Sequence, residues 1–234
     1  REGVPHRSSG DDEGIDGDAE PEEVNIGVFA NQFAWILAHR GEDAWRRVLE
    51  ACGLHERDLQ GRSKWISIRQ ANRLLIEVRA LTGSDEAFYE AAMYDLAGGY
   101  GPIRYATMAT SIPMTWKMAA KNFPTVSRIS HLEVEVIKRG LLRLHYFTKA
   151  DEHPLQCLTR LAHSAGVATM WGLPRAETTH PCCIHKGDDH CVIEMHYFEP
   201  NLIWKPLAGL ATGLALGLVL HQVGYAPQLA GAVL

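Results

Sequence analysis

The hydrophobic pattern of this chain changes its period once, and that change limits the folds that the chain can adopt. Phe29, Phe33 and Ile36 recur at the spacing of one helix face, and similar stripes continue to about residue 122. Farther along, Leu132 and Val134 alternate with polar residues. A period near 3.6 predicts amphipathic helices, whereas a period of two predicts half-buried strands. We therefore expect helices first and strands second.

The alternating part predicts two β-hairpins separated by one helix. The expected segments are a hairpin over residues 131–147, a helix over residues 154–171 and a hairpin over residues 176–198. Helices followed by hairpins and a packed helix indicate an α+β fold rather than a parallel α/β sheet. Ser67 and Ser84 precede helical stripes and are predicted to be N-caps.

Charge and motifs exclude two classes of function. The 234 residues carry a net charge of −5, and Lys and Arg are spread along the chain without a basic stripe. A nucleic-acid partner is therefore not expected. The chain has no dinucleotide fingerprint after a strand, no nucleophile elbow, no metalloprotease motif and no phosphate-binding loop. We therefore expect a protein that is not an enzyme.

The two ends of the chain differ from its middle in composition. Residues 1–23 are acidic and rich in Gly, Ser and Pro, which predicts an arm that is disordered by itself. Docking of this arm on a partner is the alternative. Residues 24–200 are expected to form the α+β domain, residues 203–225 a membrane helix and residues 226–234 a short tail.

The membrane prediction rests on one apolar stretch near the C-terminus. Residues 206–220 contain no charge, and about 20 apolar residues can span a bilayer. Lys205 precedes the stretch and no Lys or Arg follows it, which predicts a single span with the α+β domain in the cytoplasm. The expected location is a bacterial inner membrane. Three glycines at four-residue spacing, Gly209, Gly213 and Gly217, predict close packing with a partner helix. A buried core helix is the alternative.

The strongest chemical pattern is a group of cysteines and one histidine. Cys183 and Cys191 flank a predicted hairpin turn, so their thiols can meet at its base, and His180 lies three residues before Cys183. Cys157, on the preceding helix, would complete a set of four ligands for a structural zinc ion (Zn²⁺). Cys182 could replace Cys183, because neighbouring strand residues point to opposite faces. Burial of the cysteines as small apolar side chains is the other interpretation.

The spacing of these residues resembles that of the vinyl-4-reductase (V4R) domain, in the zinc-containing form found in bacterial phenol- and xylene-responsive activators. In that family the ligands are Cys, Glu, Cys and Cys, so His180 would replace the glutamate. Residues 41–149, and most of all 101–123, also look like the ligand-binding part of AraC-type regulators. The resemblance covers about residues 26–199 and implies dimerisation and an apolar pocket for a small molecule. Its pocket does not transfer residue by residue. The candidates are Trp116, His131, His145, Tyr146 and Trp171, and an ordinary core or surface role is the alternative for each.

Three functions are consistent with these features. The leading hypothesis is a non-catalytic, membrane-anchored V4R-like domain that acts through protein partners, as an accessory or structural subunit of a larger membrane complex such as a photosynthetic one. Its partners would be membrane proteins or a second copy, bound through the membrane helix. The first alternative is a small-molecule sensor that signals to a separate output protein. A component of a tetrapyrrole reductase is the second.

Overall fold

The computed structural model describes residues 21–56, 64–101, 103–199, 213–215 and 217–219. The chain divides into two compact units, Arg1–Tyr197 and Phe198–Leu234. Of the acidic arm only residues 21–23 are described, and the predicted tail of residues 226–234 lies outside the described residues. All structural statements below concern the described parts of the chain.

The first unit begins with helices, as the period of the sequence predicts. Their bounds are α1, Ala30–Ala51; α2, Ile68–Thr82; α3, Asp85–Met93; α4, Leu96–Tyr100; α5, Ile103–Met108; and α6, Ile112–Lys121. Ser67 and Ser84 accept hydrogen bonds from the backbone N–H groups of Gln70 and Ala87, which confirms both predicted N-caps. Two short strands, β1 (Val24–Asn25) and β2 (Trp65–Ile66), pair antiparallel.

The second half of the unit is one antiparallel sheet with a helix against it. Its elements are β3, Ser130–Lys138; β4, Leu141–Thr148; α7, Leu155–Val167; β5, Glu177–Cys182; and β6, Cys191–His196. The strand order is β3-β4-β6-β5, so pairing between β4 and β6 joins the two predicted hairpins. The fold is therefore mixed α+β, with helices first and the sheet second.

The core has two main clusters, and α7 contributes to both. Phe29, Leu74 and Phe88 are fully buried among the helices, and Leu155 of α7 packs with them. The inner face of the sheet forms the second cluster, to which α7 contributes Cys157 and Val167. Helix α7 therefore connects the helical layer with the sheet, and a side chain on it can contact either one.

The structure corrects the prediction of a transmembrane helix over residues 203–225. Among the described residues, no helix is both long and apolar enough to cross a membrane. Segment α1 covers 22 residues, but its backbone is not helical at Gly41, where φ is 78°, and it carries charged side chains such as Arg40 and Glu42. Of the predicted span only 213–215 and 217–219 are described; both are helical. The membrane anchor, and the inner-membrane localisation inferred from it, are thus wrong for the part of the chain that the structure describes.

The glycine-rich segment Leu96–Tyr100 is helical. The structure forms the short helix α4 there, because the side chain of Asp95 accepts a hydrogen bond from the backbone N–H of Gly98 at 3.2 Å. Asp95 itself adopts a left-handed backbone conformation, with φ of 44°. This turn brings Tyr100 to the sheet cluster, against which it packs.

Candidate functional site

Three thiols and one imidazole meet where α7 crosses the β5–β6 hairpin. The ligand atoms of Cys157, His180, Cys183 and Cys191 all lie within 4.8 Å of one another. The Sγ atom of Cys157 lies 3.5 Å from that of Cys191 and 3.9 Å from that of Cys183. The three thiols are buried and His180 is half-buried. We refer to these four residues as the thiol–imidazole cluster.

Local backbone geometry at the hairpin turn positions Cys183 for this cluster. A short 3₁₀ turn follows it, and the turn closes at Gly187, whose φ of 95° favours glycine. The backbone N–H of Cys183 donates to the carboxylate of Asp188 at 2.6 Å. The register between β5 and β6 shifts between Thr179 and Cys182. The cluster therefore includes Cys183, whereas Cys182 is half-exposed and lies outside it.

The four donors form a set that suits a metal ion with soft ligand preferences. The hydrogen bond between Cys157 and Cys191 raises the pKa of the Cys157 thiol and lowers the pKa of the Cys191 thiol to about 5, so the pair shares one proton. The Nε2 atom of His180 is buried without a hydrogen-bond partner among the described residues. Metal binding by these four residues stays a prediction.

A buried ion pair lies close to the thiol–imidazole cluster on α7. Arg160, three residues after Cys157, donates from Nη2 to Oε1 of Glu152 at 2.7 Å. Their side chains are only 13% and 3% exposed. The guanidinium carbon lies 4.9 Å from the ring centroid of Tyr146, and burial raises the pKa of that tyrosine. The Nη1 atom of Arg160 and the Oε2 atom of Glu152 are buried without a partner among the described residues.

The sequence analysis missed Arg160 and Glu152, although one signal for them was present. Arg160 is the only charged residue between Pro154 and Trp171, in a helix that is otherwise largely apolar. Its nearest acidic residues along the chain, Asp151 and Glu152, immediately precede the helix. A single charge on a helix buried between two layers requires a partner, because an unpaired buried charge is very costly.

The five candidate pocket residues fall into two groups, because Trp116, Tyr146 and Trp171 belong to the sheet cluster and the two histidines do not. Tyr146 and Trp116 are buried in the sheet cluster, and the indole N–H of Trp171 donates to the carbonyl of Thr110 at 3.0 Å. His131 and His145 belong to a row of stacked rings with Phe147 and His190. A ligand-contacting role for any of these five residues stays a prediction.

The predicted helix-packing glycines can be assessed only in part. Gly209 lies outside the described residues, whereas Gly213 and Gly217 are helical and exposed. A Cβ atom at either of these two positions would meet nothing within 4 Å. Helix packing through these glycines stays a prediction.

Comparison with known proteins gives a likeness of fold only. No protein-family model and no curated protein matches this sequence. Among solved structures, the chain is similar to an H-NOX protein from S. oneidensis in the Fe(II)NO ligation state, with a TM-score of 0.56, 14% identity, and coverage of 74% of this chain and 99% of that one. An oxygen-binding H-NOX domain related to soluble guanylate cyclases matches with a TM-score of 0.56 and 11% identity, over 75% of this chain and 96% of that one.

A third structure, from a study of heme distortion in the H-NOX family, matches with a TM-score of 0.55 and 11% identity, over 75% of this chain and 96% of that one. These findings overturn the identification of the chain as a V4R domain. They also overturn the prediction of structural Zn²⁺ as the cofactor, because solved structures that share this fold are described with heme. The spacing of four residues in one hairpin and one helix did not identify the fold of the whole domain.

His163 does not fit as the axial ligand of a heme. A heme held by histidine requires an axial imidazole facing an apolar slot. Outside the thiol–imidazole cluster, His163 is the described histidine with a buried, unpaired Nε2 atom, and burial lowers its pKa to about 4. One turn farther along α7, however, a Cβ atom on Gly166 would lie 3.3 Å from Cγ of Met93 in α3. Because the two helices are in contact there, no slot of porphyrin thickness separates them at this place.

Proposed function

We propose that this chain is a small-molecule sensor domain that signals through a separate protein. The observation that carries the proposal is the likeness of fold. The chain matches nearly the whole length of H-NOX domains, one of which is an oxygen-binding domain and another of which is in the Fe(II)NO ligation state. This replaces the membrane-complex subunit as the leading hypothesis. Absence of catalytic activity stays a prediction.

The interior supplies a second argument for a bound molecule. Protein interiors leave few buried polar atoms unpaired, because each one costs about 1–3 kcal/mol. Among the described residues, Gln32 is fully buried and neither its amide nitrogen nor its amide oxygen has a partner, and Arg160 and Glu152 each have one unpaired atom. A bound molecule would satisfy such groups, and a sensor requires an interior that can accept one.

Native mass spectrometry of the purified chain, together with its absorption spectrum, tests this function. We expect a small organic molecule bound in stoichiometric amount without a Soret band, and a rise in the unfolding temperature when that molecule is added back. Heme bound in stoichiometric amount, with a Soret band, would contradict our conclusion that His163 does not fit as an axial ligand. It would establish a heme sensor. The sensor function itself would be contradicted by two results together: the purified chain carries no molecule, and no compound in a ligand screen raises its unfolding temperature.

A further inference from the structure

Two histidines lie side by side on the outer face of the sheet, which is the face turned away from α7. His145 on β4 alternates with the buried residues Leu144 and Tyr146, and His190 directly precedes β6. Strand pairing makes the two histidines diagonal neighbours, because the partner of His145 is Val192. The Nδ1 atom of His145 lies 3.0 Å from the Nε2 atom of His190. We refer to these two residues as the imidazole pair.

The distance between these two nitrogens matches that between neighbouring ligands of one metal ion. Bonds from imidazole nitrogen to a divalent metal ion are about 2.0–2.1 Å long, so two nitrogens bound at a right angle lie about 3 Å apart. Imidazole suits Cu²⁺ and Ni²⁺, whose tetragonal geometries contain such right angles. Without a metal ion, one ring donates its proton to the nitrogen of the other ring. A metal ion can take the place of that proton while both rings stay close to their present positions.

Ring stacking holds the imidazole pair in this orientation. The ring of His190 stacks on Phe147, with 4.4 Å between the centroids and 15° between the planes. His131 stacks on the same phenylalanine from the neighbouring strand β3, at 4.5 Å and 6°. The rings of His145 and His190 lie 5.3 Å apart at 27°. Ligands that neighbouring side chains already hold in place lose little freedom when an ion binds, so the stacking favours binding.

The charges around the imidazole pair favour a cation. The second nitrogen of His145, Nε2, lies 3.6 Å from Oε2 of Glu135, and a carboxylate commonly faces the second nitrogen of a histidine that binds metal. Strand pairing also places Glu133 beside His145, and Arg143 between Glu135 and Glu194. Three carboxylates therefore share this face with one guanidinium. The side chains of Glu133 and Glu135 are 66% and 53% exposed, so the face is open to water and to ions.

We propose that the imidazole pair binds a divalent transition-metal ion such as Cu²⁺ or Ni²⁺, with Nδ1 of His145 and Nε2 of His190 as adjacent ligands. Water fills the remaining coordination positions, because the surrounding face is open to solvent. The site is separate from the thiol–imidazole cluster: Cys191 follows His190 in the sequence, but it points to the opposite face of the sheet and is buried. This proposal does not depend on the sensor function.

The test presents Cu²⁺ to the full chain as its nitrilotriacetate complex, because that chelator leaves two adjacent coordination positions open and is too large to enter the buried thiols. Pulsed electron paramagnetic resonance counts the imidazoles bound to Cu²⁺, and a titration gives the affinity. The test variants His145→Gln and His190→Gln each remove one ligand and keep a neutral polar side chain. His131→Gln is the matched control, because that ring stacks on Phe147 in the same row but its Nε2 atom lies beside Glu133. Circular dichroism checks that every variant is folded.

We expect two imidazoles at Cu²⁺ in the wild-type chain and in His131→Gln. Each test variant should show at most one and should bind the complex at least about tenfold more weakly, a loss that changes in groups merely supporting a metal ligand already cause. A wild-type chain without the two-imidazole signal, or a folded test variant that keeps it, would overturn the site.

A further variant, Cys183→Ser, separates this site from the thiol–imidazole cluster. It should keep the two-imidazole signal and the wild-type affinity for the chelated Cu²⁺, because Cys183 lies on the inner side of the sheet with α7. Loss of the signal in this variant would assign the bound Cu²⁺ to the cluster and would overturn the site. None of these outcomes bears on the sensor function, since no small organic ligand enters the test.

Discussion

Cys182 and Cys183 are neighbours in sequence, yet the structure gives them different environments. Cys183 is buried in the thiol–imidazole cluster, whereas Cys182 is half-exposed on the strand. Adjacent residues of a strand point to opposite faces, so only one of the two can face α7. Which one does depends on the register shift between β5 and β6, a feature that arises only when the strands pair.

This difference predicts different effects of two conservative substitutions on metal binding. Cys183→Ser removes a soft donor from the cluster, so we expect it to weaken binding of Co²⁺ at least about tenfold. Cys182→Ser, the matched control, should leave binding unchanged. Titration with Co²⁺, followed by the thiolate-to-metal charge-transfer absorption, measures both. Equal loss in the two variants, or no absorption in the wild-type chain, would contradict the assignment of Cys183 as a ligand.

His163 predicts a dependence of stability on pH. Its folded-state pKa of about 4 lies below the ordinary value of 6.5, because burial disfavours the charged imidazolium. Between these two values the unfolded chain binds a proton that the folded chain does not. The free energy of unfolding should therefore fall by up to about 3 kcal/mol as the pH falls from 6.5 to 4.

Denaturant unfolding across this pH range, compared between variants, isolates the contribution of His163. His163→Gln should unfold with a shallower dependence on pH than the wild-type chain, because it cannot take up the proton. His196→Gln, at an exposed position at the end of β6, serves as the control and should keep the wild-type slope. If His163→Gln and the wild-type chain show the same slope, the imidazole of His163 is not held in its neutral form in the folded chain.

At the scale of elements, the β3–β4 hairpin depends on one glycine for two independent reasons. Gly140 has φ of 76°, and a Cβ atom there would lie 2.9 Å from the carbonyl oxygen of Tyr197. The carbonyl of Gly140 also accepts a hydrogen bond from the backbone N–H of Tyr197 at 2.9 Å. The turn is thus attached to the chain just after β6, and it helps to fix how the two hairpins meet.

Two substitutions separate the strain of the backbone from the steric clash. Gly83→Ala, at the end of α2 with φ of 83° and open space around it, should cost about 1 kcal/mol through backbone strain alone. Gly140→Ala adds the clash with Tyr197, so we expect it to cost at least about 1 kcal/mol more. Chemical denaturation of both variants gives these values. Equal costs would show that the turn moves away from Tyr197 without penalty.

At the scale of the whole molecule, α7 determines whether the two halves of the domain unfold together. Leu155 packs with the helical cluster, while Val167, at the other end of the same helix, packs with the sheet cluster. Unfolding of the sheet would therefore also remove packing contacts that stabilise the helices. We expect the first unit to unfold in a single cooperative transition.

Leu144→Ala tests this coupling from the sheet side. Leu144 is fully buried, so its truncation should lower the free energy of unfolding by about 3 kcal/mol. If the unit is cooperative, hydrogen exchange of the most protected amides in α2 should accelerate by the same free energy as that of the amides in β4. Unchanged protection in α2 would show that the helices and the sheet unfold independently.

Much of the local structure follows from the sequence, because its causes lie within a few residues of each other. The N-caps at Ser67 and Ser84 and both hairpins were predicted from short-range patterns, and the structure contains them. The apolar stretch near the C-terminus shows the limit of this approach. Its composition suits a membrane span, but composition alone does not distinguish a span from other apolar segments.

Tertiary structure alone decided the features that depend on distant residues. Pairing of β4 with β6 joins two hairpins that are separate in sequence, and no local period encodes which edges meet. The same packing encloses Arg160 with Glu152 in the interior and leaves two of their atoms without a partner. Side-chain period and capping are local properties, so they predict most of the long helices and both hairpins before the fold is known. Only the folded chain determined which buried groups stay unsatisfied, because that depends on how the layers close around them.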